Sequence, residues 1–421
     1  MMKVDILVIG GGAAGLAAAL AAHDPRYTIL VVEREPLLGG ILNQCIHNGF
    51  GLHVFKEELT GPEYANRYLK TFLAKGIDYL VDTTVIDIEK TADGFIVTVS
   101  GLEAGLKTIT SRTVILASGC YERTRGSITL AGDRPKGIMP AGSAQRYLNM
   151  DGYLVGERIF ILGSGDIGLI MARRMVLEGA KVLGVAEIMP YSNGLTRNIV
   201  QCLHDYDIPL YLSHTVTHIE GRQRLEAVTI QAVDADLTPI PGTEQRFEVD
   251  TLLLSVGLIP DVTLFDSLTL TMSPVTRSAV VNQFLETSVE GLFVCGNALH
   301  VHDLVDYVSD ESHKAGLNAK AYLERQDKVA RAEHEIIVAD HIRYVVPQML
   351  DYNRFDAPVE LMFRTTTKAE QAVFRLVQDD KVIKEKKARY VAPAEMEKMM
   401  LDPQDLIGTG PVTLYMEVVK P

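Results

Sequence analysis

The chain has 421 residues, 47% hydrophobic and 23% charged, close to globular averages, which predicts two or three ordered domains rather than a disordered or single-core protein. A formal net charge of −13 argues against a phosphate-binding surface for nucleic acid. The four cysteines, Cys45, Cys120, Cys202 and Cys295, form no C-x-x-C or C-x-C pair, which removes the usual zinc and iron–sulfur spacings and fits a reducing cytoplasm.

The first predicted unit lies in "VDILVIGGGAAGLAAALAAHDPRYTILVVERE", which starts at Val4. Val4 to Ile9 is a continuous apolar run, as in a parallel strand buried on both faces. The span from Ile6 to Ala22 imitates a signal or membrane helix, but it is too short and too glycine-rich, and Asp5 and "HDPRY" flank it. Gly10, Gly12 and Gly15 spell G-x-G-x-x-G, with Ala13 and Ala14 opening the helix that follows. The first glycine permits a tight turn, the second close approach of backbone to a pyrophosphate, and the third helix–strand packing. A second strand ends at Glu33, 18 residues past Gly15, where a carboxylate can accept hydrogen bonds from ribose hydroxyls, with Arg34 beside it.

Next comes "PLLGGILNQCIHNGFG", residues 36–51, with Gly39, Gly40 and Ile41 ahead of Cys45 and His47. About 150 residues after the first glycine motif the pattern returns in "RIFILGSGDIGLIMARRMVLEGAKVLGVAE", with Gly163, Gly165, Asp166, Ile167 and Gly168, and an acid, Glu187, 19 residues on. Glu187 would repel a 2′-phosphate and select NAD(H) over NADP(H); the alternative is that it faces solvent and selects nothing. The region "GNALHVHDLVDYVSDESHKAG" clusters His300, His302 and His313, but without a third ligand set in sequence no metal is expected. Cys120, Cys202 and Cys295 read as buried packing residues.

After Leu323, "ERQDKVARAEHE" reads as a charged linker or helix end. The alternating segments beyond it predict a small β-rich domain over 337–421, with Asp379 and Asp380 in a hairpin turn, suited to dimerisation, partner docking or stabilisation.

Two such glycine units, one for FAD and one for a nicotinamide nucleotide, resemble the two-dinucleotide-binding-domain flavoproteins of the pyridine nucleotide–disulfide oxidoreductase superfamily. Three further stretches carry the resemblance. "TVILASGCYER" (Ala117, Ser118, Gly119) is similar to the strand closing the FAD domain, and "LLLSVGLIPD" (Gly257) to that ending the NAD domain. "TSVEGLFVCGNALH" is similar to the late strand whose G-[DN], here Gly296 and Asn297, meets the flavin's ribityl and phosphate groups. Val85 joins the expected FAD contacts.

The resemblance covers roughly 4–325. It implies an α/β fold with two Rossmann-like three-layer domains, the FAD domain discontinuous (1–152 and 280–325) around an NAD domain (153–279), plus the β-rich domain. The crossover "RPKGIMPAGSAQ" followed by Leu148 and Asn149 looks like the flavin subunits of heteromeric opine, proline, sarcosine and glycerol-3-phosphate-type dehydrogenases. The resemblance places Gly39–Ile41 on a path from adenosine to flavin ring, with Cys45 and His47 nearby. Dithiol chemistry of the disulfide-reductase branches is not expected. Cys45 is then either a single redox thiol supported by His47 or a small residue in the flavin's wall.

The expected function is FAD-dependent hydride exchange between NAD(H) and flavin N5, with electrons passed to a partner dehydrogenase subunit in the cytoplasm. The alternatives are a stand-alone reductase or oxidase using a quinone, oxygen or a disulfide, and a non-enzymatic flavin-bearing assembly subunit. Neither nucleic acid nor an integral membrane segment is expected; the expected partner is a flavoprotein dehydrogenase subunit or a second copy of the chain.

Overall fold

The computed structural model describes residues 2–103, 105–325 and 330–419. They group into two compact units. One takes in the chain up to Asn43, then Asn48–Cys120 and the described chain from Pro260 onward; the other takes in Gln44–His47 and Tyr121–Ile259.

The first unit is organised by β1 (Met2–Ile9), whose apolar run from Ile6 to Ile9 is buried. It pairs in parallel with β2 (Ile29–Val32) and with the second half of the Gly105–Leu116 strand. Asp78–Leu80 and Leu292–Val294 extend this parallel sheet at its two sides. The first half of Gly105–Leu116 instead pairs antiparallel with Gly94–Gly101, which pairs with Thr83–Thr91. Helix α1 (Ala13–Ala22), "AAGLAAALAA", is almost entirely small residues, and these let it pack close between neighbours. Along the Val305–Glu324 helix, Gly316 leaves no space for a Cβ against the Ala18 carbonyl. The segment that imitates a membrane helix is therefore strand, turn and core helix, and no described helix is long and apolar enough to cross a membrane.

The second unit holds a five-stranded parallel sheet in the order 138–140, 251–254, 158–162, 181–187, 210–212, and an antiparallel sheet of His214–Glu220, Ala227–Ala232 and Gln245–Glu248. The strand Arg158–Leu162 shows how an unbroken apolar run serves two cores. Ile159 and Ile161 pack with Leu169, Met171 and Met175 of the Asp166–Leu177 helix, while Phe160 and Leu162 pack with Val216, Val228 and Ile230 of the antiparallel sheet. Alternate side chains point to opposite faces, so a strand buried on both sides shows no polar alternation.

Residues 333–418 form two sheets with their own core, in which the rings of Phe363 and Phe374 meet edge-on at 4.9 Å. Asp379 and Asp380, with φ of +48° and +60°, make the two-residue turn between Ala369–Gln378 and Lys381–Val391, as the sequence predicts. Alternation did not reveal Glu397–Leu401, a strand reading "EKMML". Residues 326–329 of the expected linker lie outside the described residues. On either side of them Arg325 and Arg331, with Arg354, surround the fully buried Glu286 carboxylate.

Candidate dinucleotide-binding sites

In the first unit, the chain leaves β1 at Gly10, whose φ is +105° and whose pro-Cβ position is filled by the Ala117 carbonyl. A side chain there is excluded twice, by conformation and by space. Gly12 then caps α1 without any side-chain hydrogen bond, so the helix's first N–H groups stay available. Gly39 N–H donates to the Gly11 carbonyl at 2.8 Å, and a Cβ on Gly40 would stand 2.9 Å from the Gly12 Cα. The Gly39–Gly40 pair thus lies directly on the glycine turn. Glu33 is buried just past β2; its carboxylate accepts from Gly11 N–H at 2.6 Å and from Glu35 N–H at 2.8 Å.

The second unit repeats this construction. Gly163 has φ +94° and its Cβ space is taken by the Ser255 carbonyl; Gly165 caps the Asp166–Leu177 helix with no side-chain bond. Glu187, 3% exposed, accepts from Ser164 N–H at 3.0 Å, from the Ser164 hydroxyl at 2.7 Å and from Met189 N–H at 3.0 Å. It does not face solvent. Ser255 Oγ accepts from Gly168 N–H at 3.1 Å, a loop–helix tie that sequence reading missed. Its place was nonetheless visible, because Ala117-Ser118-Gly119 and Ser255-Val256-Gly257 end corresponding strands, with φ of +78° at Gly119 and +106° at Gly257. Asp166 turns its carboxylate to Leu195 N–H (2.8 Å) and Asn198 Nδ2 (2.6 Å), bracing the next helix, while Ile167 is half-buried.

The other expected FAD contacts lie in the first unit. Ser118 Oγ donates to the Asp261 carbonyl at 2.6 Å, and Arg34, largely exposed, pairs with the Asp261 carboxylate at 3.4 Å. Val85 is buried, Ile41 is exposed, and Ala14 lies 2.8 Å from the position a Gly296 Cβ would take. Ala13 is half-buried. Asn297 Oδ1 accepts from His302 N–H at 3.0 Å, and its Nδ2 donates to Cys120 Sγ at 3.7 Å. Asp306, which no motif marked, is buried and accepts from Gly51 N–H (3.2 Å) and Val54 N–H (3.0 Å), fixing the loop after the cysteine stretch.

Cys45 sits in the second unit with the crossover helix Ala141–Asn149. Gln44 Nε2 donates to the Gly142 carbonyl (2.9 Å) and Gln145 Oε1 (3.0 Å), Asn149 Nδ2 donates to the Gln44 carbonyl (2.8 Å), and Cys45 Sγ lies 3.7 Å from Gln145 Oε1. The crossover's Gln145 and Asn149 therefore hold this stretch. Burial pushes the Cys45 thiol up to about 12, which suppresses the thiolate. His47 is half-buried two residues on. Glu122 accepts from Gly142 N–H at 2.8 Å, and burial raises its carboxyl above the ordinary range.

Two glycine cradles, each with an uncapped helix start and a buried acid, define a protein that handles two dinucleotides. The cradles fit FAD and a pyridine nucleotide because backbone, not side chain, lines the turn where a pyrophosphate must approach. The pyridine nucleotide-disulphide oxidoreductase family model matches residues 4–321, and the chain belongs to that family. It is 26% identical to sarcosine oxidase subunit alpha of Corynebacterium sp. over 317 residues, 71% of this chain but 31% of that protein's length. It is 25% identical to ferredoxin–NADP reductase 2 of Bacillus velezensis over 77% of this chain and 94% of that one. The thioredoxin reductase of T. acidophilum superposes with TM-score 0.64 and 23% identity, over 77% of this chain and all of that chain.

Proposed function

We propose that this chain is the FAD- and NAD(H)-binding subunit of a heteromeric cytoplasmic dehydrogenase, and that it exchanges electrons with a partner flavoprotein acting on a small hydroxy or amino compound such as glycerol-3-phosphate. In this reading 1–152 and 280–325 serve FAD, 153–279 serve NAD(H), and 337–421 dock the partner. Gly10, Gly12, Ala13, Ala14 and Gly15 receive the FAD pyrophosphate; Glu33 and Arg34 receive the adenosine. Gly39, Gly40, Ile41 and Val85, the turn Ala117–Gly119, and Gly296 with Asn297 line the rest. Gly163, Gly165, Asp166, Ile167, Gly168, Glu187 and Gly257 receive the nicotinamide nucleotide. When bound, FAD supplies hydride acceptance at N5; the chain's residues bind, orient and exclude water.

The observation that carries the reading is the completeness of the second cradle in a chain without paired cysteines. Glu187 is buried and locked onto the glycine loop, which supports a working nucleotide site over a vestigial one. Cys45, held as a thiol among Gln44 and Gln145, suits a wall better than a nucleophile. The sarcosine oxidase relative is by name a subunit, and the crossover pattern points the same way.

The test is steady-state turnover of the isolated chain with NADH and oxygen, menadione or a small disulfide. Slow turnover is expected, with fast NAD+ reduction appearing only when the partner subunit and its substrate are added. Turnover near ordinary enzyme rates, roughly 10 per second, with menadione or a disulfide alone would replace this reading by the stand-alone reductase.

A further inference from the structure

Two histidines from the loop after Asn297 and one glutamate from the following helix meet in the interior of the first unit. His300, His302 and Glu311 are all buried, and they can offer one ligand atom each with all three atoms inside 4.8 Å of one another. His300 Nε2 is 2.8 Å from one Glu311 oxygen, and His302 Nε2 is 3.2 Å from the other. The two imidazoles meet edge-on with centroids 4.3 Å apart. Neither ring nitrogen of His302 has a hydrogen-bond partner, and neither does His300 Nδ1. Buried polar atoms are rarely left in that state, and an ion would engage one nitrogen of each ring.

The surroundings hold the cluster rigidly. Gly296 N–H donates to Glu311 Oε1 at 2.7 Å, fixing the carboxylate. His302 N–H donates to Asn297 Oδ1, and His300 N–H to the Gly296 carbonyl at 3.2 Å, fixing the two histidine backbones. Arg364 Nη2 donates to the Val301 carbonyl at 3.1 Å and pairs with Asp303, pinning the loop from the other side. These bonds fix the carboxylate and the histidine backbones.

We propose that His300, His302 and Glu311 bind a divalent transition-metal ion of the zinc type, which staples the Gly296–His302 loop to the Val305–Glu324 helix. With metal–ligand bonds of about 2.0–2.1 Å, tetrahedral ligand atoms stand about 3.3 Å apart, a spacing that lies inside the 4.8 Å spanned by the three ligand atoms. Two imidazoles and one carboxylate are a recognised zinc donor set. Binding needs neutral imidazoles and an ionised carboxylate. The sequence did not announce the site because the third ligand lies on a separate helix, nine residues past His302.

The test is metal analysis of the full-length, FAD-loaded protein after incubation with zinc and dialysis against free chelator. About one equivalent of zinc per chain is expected, and cobalt loading should give intense visible d–d bands of a four-coordinate site. His302→Gln and His300→Gln should each lower retained metal by about tenfold or more with an unchanged circular dichroism spectrum. Less than about a tenth of an equivalent in the wild-type protein, together with no cobalt bands, overturns the proposal whether or not the variants fold. Metal retained equally in both variants overturns it too. FAD content, measured in the same samples, reports on the cofactor assignment separately.

Discussion

Glu33 reaches back across the glycine turn to accept the N–H of Gly11 at 2.6 Å, and Glu187 does the same to Ser164 at 3.0 Å. Each acid also accepts the N–H two residues beyond itself. The acid that closes each motif is thus the clamp that shapes the turn in advance.

Removing the clamp in the first unit leaves buried N–H groups without an acceptor, at a cost of about 1–3 kcal/mol. Glu33→Ala should therefore weaken FAD binding by about 10- to 100-fold, measured by fluorescence titration of the deflavinated protein. Glu33→Gln keeps an acceptor oxygen and should fall between the two.

Glu187→Gln separates shape from charge. The amide oxygen can still accept from Ser164, but the negative charge that would repel a 2′-phosphate is gone. The KM for NADPH should fall by about tenfold with a smaller change for NADH, since one charge contact is worth roughly 1.4 kcal/mol. Unchanged KM values for both nucleotides would show that Glu187 does not select between them.

Cys45 should be slow to alkylate. Its thiol is raised to about 12 by burial, and the reactive thiolate gains population only as pH rises toward that value. At about pH 8, iodoacetamide should modify it some 10³-fold more slowly than a free cysteine. Cys45→Ser should leave NADH-driven flavin reduction intact; loss of turnover with a disulfide or peroxide alone would reinstate the redox thiol.

Glu286 is fully buried, accepts from Gly291 N–H at 3.0 Å, and is met by Arg331 at 2.9 Å, with Arg325 and Arg354 at 3.7 and 3.9 Å. Truncating one partner of a buried ionic cluster costs about 3–5 kcal/mol, because the remaining charges lose their counter-ion. Glu286→Ala should lower the chemical-denaturation midpoint accordingly. A shift below about 1 kcal/mol would mean that solvent replaces the carboxylate.

Both nucleotide cradles were legible in sequence because their requirements are local. A turn that excludes Cβ at Gly10 and Gly163, a helix start and a strand-end acid all fall within one short stretch of chain. The β-rich region was legible from alternation, except "EKMML", where Met399 and Leu401 alternate with a lysine and a methionine too flexible to mark a strand. What stayed hidden depends on distant segments meeting. Asp306 serves the amides of Gly51 and Val54 across more than 250 residues, Gln145 serves Gln44 across 101, and Glu311 completes a cluster begun on another element. None has a spacing rule, since the separation is set by the fold.

The central claim, that one cradle holds FAD and the other delivers electrons from a nicotinamide nucleotide, is tested most directly by anaerobic stopped-flow mixing of the purified protein with NADH. The protein should be yellow as isolated, and NADH should bleach the flavin's visible absorption, faster than NADPH does. A correctly folded protein that is colourless and has no affinity for FAD, or a flavin that neither nucleotide reduces, would contradict the account.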